Sequence, residues 1–284
     1  MVQIKNLILD YDGVVCFKDK ELTRKAIELL INVLGKQDHE FVLHINSLRG
    51  ISLFKNEAFK KLKDSVKNKI QIFFSGCAGS FTYNINKEQL IEIFGFLSAN
   101  DLNYLIHSIR VKQILTGTGQ NDFELYKDTL DNIPLTLKEI ISLEPRLYWD
   151  CGFPGSKNIF KCAIDVNEQL NELYKDLSKN LPEDLKMNLT NNIVEITNRK
   201  SDKGSVMRRL LQQKMYTDGN FLIIGDNPQD ADKPMMEAFS GLAINRKIFT
   251  MSNGLIKKSG INEKEREVAQ ANKFLEIINK VFVS

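Results

Sequence analysis

Hydrophobic positions along this chain fall into two kinds of run. Short, nearly unbroken apolar runs occupy residues 6–9, 41–45, 70–74 and 221–224, each closed by a polar residue or a glycine. Runs of that length predict strands buried on both faces, as in a parallel sheet. Elsewhere the apolar spacing is three or four. Leu22, Ala26, Leu29, Leu30, Val33 and Leu34 predict an amphipathic helix over 21–34. Leu53, Phe54, Phe59, Leu62 and Val66, interleaved with lysines, predict another that ends before the strand at 70–74. Strand and helix alternate, which predicts an α/β fold with a parallel sheet.

The alternation stops near residue 82. Helical spacing covers 87–97, 101–115, 122–131 and 135–142, and strand-like pieces follow at 146–150, 159–165, 185–189 and 193–196. Thr190-Asn191-Asn192 fits a hairpin turn between the last two. The first pattern resumes at Lys203, with a helix to about residue 214, a strand over 221–225, a short helix over 233–239, a strand over 241–244 and a closing helix over 263–281. The expected organisation is one α/β core, residues 1–81 and 198–284, split by an inserted α+β module, residues 82–197.

Composition narrows the function. The 284 residues are 43% hydrophobic and 26% charged, values of an ordinary globular protein. Basic and acidic residues number 39 and 36 and are well mixed, for a net charge of +3. No basic stripe marks a nucleic-acid binder. Cys16, Cys77, Cys151 and Cys162 form no CxxC pair and have no histidine at metal spacing, so scattered reduced thiols are expected. His39, His44 and His107 also lack partners at useful spacing and are expected to be structural. Residues 1–10 are too short and too quickly polar for a signal peptide, and no apolar run reaches membrane-spanning length. The expectation is a soluble, cytoplasmic protein with neither membrane nor nucleic acid as partner.

Candidate chemistry lies at the strand ends, where parallel α/β sheets bind ligands. The first strand ends in Asp10-Tyr11-Asp12-Gly13, the second in Asn46-Ser47, and the late one in Gly225-Asp226-Asn227-Pro228-Gln229-Asp230. If these strands are neighbours, Asp10, Asp12, Asp226 and Asp230 converge. Clustered carboxylates repel one another and call for a cation. Oxygen ligands without histidine or cysteine favour a hard ion such as Mg²⁺, which prefers one or two carboxylates plus phosphate oxygens. Ser47 and Lys203 can hold further phosphate oxygens, one by hydrogen bonding and the other by charge.

In order and placement these elements resemble the haloacid dehalogenase superfamily of phosphohydrolases. The first motif, D-x-D-G after an apolar strand, stands as Asp10 to Gly13; the second, a strand closing in Ser or Thr, ends here at Ser47 and is followed by Leu48-Arg49. The lysine that opens a helix is Lys203, after Asp202 and before Gly204, and the closing acidic motif runs from Gly225-Asp226 to Asp230. The resemblance implies a Rossmann-like core with a cap domain. It implies that Asp10 is the nucleophile, forming an aspartyl-phosphate, and Asp12 the acid and base. Ser47 and Lys203 would bind the phosphoryl group. Arg49 is a further substrate-binding candidate, with a place on the surface as its alternative. Mg²⁺ would lie between Asp10, the Asp12 carbonyl and Asp226, with Asp230 close by.

The insertion point, after the third strand and before Lys203, is similar to the C2-type cap branch, which includes Cof-like sugar phosphatases, trehalose-phosphate phosphatases and phosphomannomutases. The expected substrate is therefore a small phosphorylated metabolite, with sugar phosphates foremost. A phosphomutase, using Arg110 or Arg146 for a second phosphate, and an inactive metabolite-binding relative are the alternatives.

Overall fold

The computed structural model describes residues 3–47, 61–62, 64, 69–76, 79, 81–93, 148–149, 175, 179, 181, 183, 185–190, 193–229, 232–242, 247–252 and 262–282. It divides into two compact units, residues 1–94 with 202–284, and residues 95–201.

The first unit is built on a seven-stranded sheet. Its strands are β1 (Ile4–Asp10), β2 (Phe41–Asn46), β3 (Ile70–Gly76), β4 (Phe81–Asn84), β5 (Gln89–Ile93), β9 (Asn220–Gly225) and β10 (Ile248–Ser252), in the order β10-β9-β1-β2-β3-β4-β5. The first five in that order pair in parallel, and β4 and β5 add an antiparallel hairpin at one edge. Among the described residues its helices include α1 (Lys20–Gly35), α2 (Lys203–Gln212), α3 (Lys233–Met236) and α4 (Glu263–Phe282). The chain steps from β1 to β2 on one side and returns much later to β9 on the other. The carboxyl end of β1 is thus the switch point at which such sheets bind ligands.

Strand parity assigns the two faces, because successive side chains point to opposite sides. Ile8, Val42, Phe73, Phe221 and Ile223 pack with Val206, Met207 and Leu210 of α2 and Met235 of α3 in one buried cluster. On the opposite face Leu7, Leu9, Leu43, Ile45, Leu222 and Ile224 are fully buried. There Phe41 meets Phe282 of α4 edge-on, and α1 packs against α4.

In the second unit a three-stranded antiparallel sheet contains β6 (Tyr148–Trp149), β7 (Leu185–Thr190) and β8 (Ile193–Asn198), in the order β6-β8-β7. β7 and β8 form a hairpin, as the sequence predicts, but Thr190, expected in the turn, is the last residue of β7 and pairs with Ile193.

Two expectations are corrected. The helix expected over 87–97 is not formed: residues 89–93 are the strand β5, paired with β4. The apolar residues Leu90, Ile91 and Ile93 fit either period over so short a run. The tight turn decides, with Asn84 accepting from the Lys87 N–H and Glu88 in the left-handed region at φ 50°. In consequence the first unit runs to Phe94, and residues expected in the insert belong to the core sheet. The strand expected over 241–244 is also displaced. Of its residues only 241 and 242 are described, and neither is in a strand: Gly241 adopts φ 75° and Leu242 is exposed, while the strand beside β9 is 248–252. The helices expected over 101–115, 122–131 and 135–142, the strand over 159–165, and Cys77, Cys151, Cys162, His107, Arg110 and Arg146 lie outside the described residues.

Candidate active site

The same parity that builds the core aims polar side chains at one point. Continuing the α2 face along β1 and β2 beyond Ile8 and Val42 leads to Asp10 and Asn46, which are register partners at the strand ends. Both reach the first residue of α2. Lys203 Nζ donates to Asp10 Oδ1 at 2.7 Å, and Asn46 Nδ2 donates to the Lys203 carbonyl at 2.7 Å.

Local sequence fixes the start of α2. Asp202 accepts from the Gly204 and Ser205 N–H groups, and Ser205 Oγ accepts from the Asp202 N–H, a complete capping box. Gly204 is required by packing, since a Cβ there would collide with the Pro234 carbonyl at the start of α3. Lys203 is 2% exposed, and its ammonium also donates to Asp232 Oδ1 at 2.6 Å. Burial would by itself push its pKa down; Asp10 and Asp232 outweigh burial and raise it, so the lysine stays charged.

Asp10 is 5% exposed, and its Oδ1 also accepts from the Tyr11 N–H at 2.7 Å. Its pKa is raised well above the usual carboxylate range. Burial is the main cause and Asp232 the next, with Lys203 opposing and Asp226 and Asp12 adding. Asp12 lies in the turn after β1, which closes through bonds from Val15 and Cys16 N–H to the Tyr11 carbonyl.

Asp226 follows β9 and continues the other parity, toward α4. Its Oδ2 accepts from Gln270 Nε2 of α4 at 3.2 Å. A Cβ on Gly13, which has φ 73°, would lie 2.5 Å from that oxygen, so glycine there serves both the turn and the approach of Asp226. Burial, then the neighbouring Asp232, pushes the Asp226 carboxyl up to about 6.

Asp232 is fully buried just before α3 and organises the loop after β9. Its Oδ2 accepts from the Asp226 and Asn227 N–H groups at 2.9 and 3.0 Å, while Oδ1 takes Lys203. Ser47 is fully buried at the end of β2, its N–H bonded to the Ser75 carbonyl at 2.9 Å.

The donor set suits a hard cation. One carboxylate oxygen each from Asp10, Asp226 and Asp232 lies within 4.8 Å of the others. Among the described residues, three acids surround the Lys203 ammonium, so with all three ionised the cluster carries excess negative charge, which a bound cation offsets. Asp232 already accepts three N–H bonds, which leaves Asp10 and Asp226 as the better ligands and matches the one or two carboxylates that Mg²⁺ prefers.

Of the residues expected from sequence, Asp10, Lys203 and Asp226 meet here. Asp12 and Ser47 lie just beyond the ends of β1 and β2. Asp230 and Arg49 lie outside the described residues. Sequence reasoning missed Asp232, Asn46 and Gln270. Asp232 was hidden by a second acid two positions earlier. Gln270 carried a signal, a polar residue on an otherwise apolar buried stripe, whereas Asn46 shares its strand face with the buried His44 and stood out only as the polar end of β2.

A family model for haloacid dehalogenase-like hydrolases matches residues 7–254. No curated protein sequence matches the chain significantly. Among solved structures, it is similar to a haloacid dehalogenase-like hydrolase from Bacteroides thetaiotaomicron, at 16% identity and TM-score 0.56, over 99% of this chain and 100% of that one. A Thermotoga maritima protein aligns at 14% identity and TM-score 0.56, over 98% and 97% of the two chains. A trehalose-6-phosphate phosphatase from Aspergillus fumigatus aligns at 16% identity and TM-score 0.51, over 98% and 94%. These likenesses establish a shared fold.

Proposed function

The chain belongs to the haloacid dehalogenase-like hydrolases, and from that premise we propose that it is a Mg²⁺-dependent phosphatase using Asp10 as its nucleophile. The observation that carries this reading is the buried contact of Asp10 with Lys203, at the switch point of the sheet and beside Asp226. Lys203 holds Asp10 in one orientation and places a fixed positive charge where phosphoryl oxygens gather.

An Asp10 oxygen attacks phosphorus, the bond from phosphorus to the leaving oxygen breaks, and Asp12 gives that oxygen its proton. Asp12 then takes a proton from water, which attacks the phosphorus of the aspartyl-phosphate, releases inorganic phosphate and restores Asp10. One hard step becomes two easier ones. Asp10 and Asp226 would hold Mg²⁺ with the Asp12 carbonyl, and Asp230 would stand close by. The ion would neutralise charge on the carboxylates and on the transferring group. Ser47 would donate to a phosphoryl oxygen, and Arg49 is a further candidate for that role.

The substrate proposed is a small phosphorylated metabolite, with sugar phosphates as the first class to test. The point at which residues 95–201 interrupt the core resembles sugar-phosphatase relatives, and trehalose-6-phosphate belongs on the panel. We assign substrate discrimination to that unit and expect the enzyme to act in the cytoplasm.

Phosphate release from an aryl phosphate and a sugar-phosphate panel, with Mg²⁺ and with EDTA, tests the reading. Turnover should need Mg²⁺ and fall about 10⁴-fold or more in Asp10→Asn. Equal rates in wild type and Asp10→Asn would overturn it.

A further inference from the structure

The buried stripe of α4 has one polar member. Gln270, Ala271, Phe274, Ile277 and Ile278 face the core, and all but Gln270 are apolar. Gln270 is 3% exposed, and an amide buried at that depth costs free energy unless it is hydrogen-bonded. Its Nε2 donates to Asp226 Oδ2. The same oxygen lies close against Gly13, where no side-chain atom would fit. The terminal torsion of an aspartate is broad and poorly fixed by itself. Here a hydrogen-bond donor and a closely approaching backbone together favour one rotation of the Asp226 carboxylate.

We propose that Gln270 is a positioning residue for the metal site, holding Asp226 in the orientation from which it binds the cation. This rests on the Mg²⁺ reading above and extends it to a helix that none of the motif residues occupies. Gln270 also lies beyond residues 7–254, the span of the family match. Partners of this kind orient metal ligands throughout metalloproteins, and their loss weakens metal affinity about 10–100-fold.

The test is calorimetric titration of the metal-free full-length protein with Mg²⁺, without substrate, alongside melting in EDTA. Gln270→Met keeps the length and bulk of the side chain and removes the donor. Gln270→Asn keeps the amide and withdraws it by one methylene, and it decides the matter should the methionine variant not fold. Both should raise the Kd for Mg²⁺ about 10–100-fold, and the Mg²⁺ concentration for half-maximal turnover should rise in step. A Kd equal to wild type, with only a lower metal-free Tm, would make Gln270 a structural amide and overturn the proposal. A wild-type protein that binds no Mg²⁺ would overturn the metal reading as well. Binding by wild type with unchanged variants defeats the Gln270 proposal alone.

Discussion

At the residue scale, the site depends on charges buried together. Among the described residues, Lys203 is the ammonium that bridges Asp10 and Asp232, at 2.7 and 2.6 Å. Lys203→Met leaves two buried carboxylates facing each other. Breaking a buried ion pair costs about 3–5 kcal/mol, so the variant should be inactive and should unfold at clearly lower urea in EDTA. His44 is a different kind of buried group. Its Nδ1 lies 2.7 Å from the Tyr216 hydroxyl and its Nε2 lies 2.8 Å from Ser75 Oγ. Ser75 Oγ meets Thr82 Oγ1, whose hydroxyl donates to Glu92. With Glu92 as the terminal acceptor, the chain runs one way, from Tyr216 through a His44 protonated at Nε2. Burial pushes the His44 pKa down to about 3. An unfolded histidine takes its proton near pH 6.5. The neutral fold is therefore fully favoured above pH 6.5 and loses stability as pH falls toward 3, by at most ~1.4 kcal/mol per pH unit. His44→Asn lacks this dependence, so its stability deficit against wild type should shrink from pH 7.5 to pH 5 in urea unfolding curves.

At the element scale, the beginning of α2 is the joint on which the site turns. It is fixed by a cap, by the Asn46 bond to the Lys203 carbonyl, and by close packing on α3 through Gly204. These can be separated. Asp202→Ala removes the cap, together with a half-exposed ion pair to Arg208, and should cost about 1 kcal/mol. Gly204→Ala forces α2 away from Pro234, should cost about 1–3 kcal/mol, and should cut kcat because Lys203 moves with the helix. Denaturant melts and phosphatase assays on both variants check the contrast. Elements of this kind were legible in the sequence wherever apolar runs were long enough to fix a period: β1, α1, β2, β3, α2, β9 and α4 lie where the runs predict them. Residues 87–97 misled because five residues of strand share their apolar spacing with a helix, and only the Asn84 turn separates the two. Asp10, Lys203 and Asp226 were legible because each terminates or opens an element. Asp232 was not, because its role depends on how the loop after β9 folds back over its own N–H groups, which spacing alone does not encode.

At the scale of the whole molecule, the catalytic unit is assembled from two distant stretches of chain. Asp10 and Asn46 come from residues 1–94, while Lys203, Asp226, Asp232 and Gln270 come from residues 202–284. The ends of the intervening stretch leave the core from one neighbourhood. Ile93 pairs with Phe81, and a Cβ on Gly79, two residues earlier, would lie 2.8 Å from the Asp202 carbonyl oxygen. Arg209 of α2 ties the same region together, with Nη2 donating to the Gly79 carbonyl and to Glu92 of β5. A flexible Gly/Ser linker of about eight residues has a root-mean-square reach of roughly 16 Å, enough to join residue 94 to residue 202 across such a gap. A protein with residues 95–201 replaced by that linker should melt cooperatively and bind Mg²⁺ with an affinity near that of the full chain. It should still release phosphate from an aryl phosphate, whose recognition needs little beyond the phosphoryl group. What it should lose is the preference among phosphorylated metabolites, read as a flattened spread of kcat/KM across the panel. An excised core that folds and binds Mg²⁺ yet keeps the full chain's preferences would move discrimination out of residues 95–201 and onto the core loops.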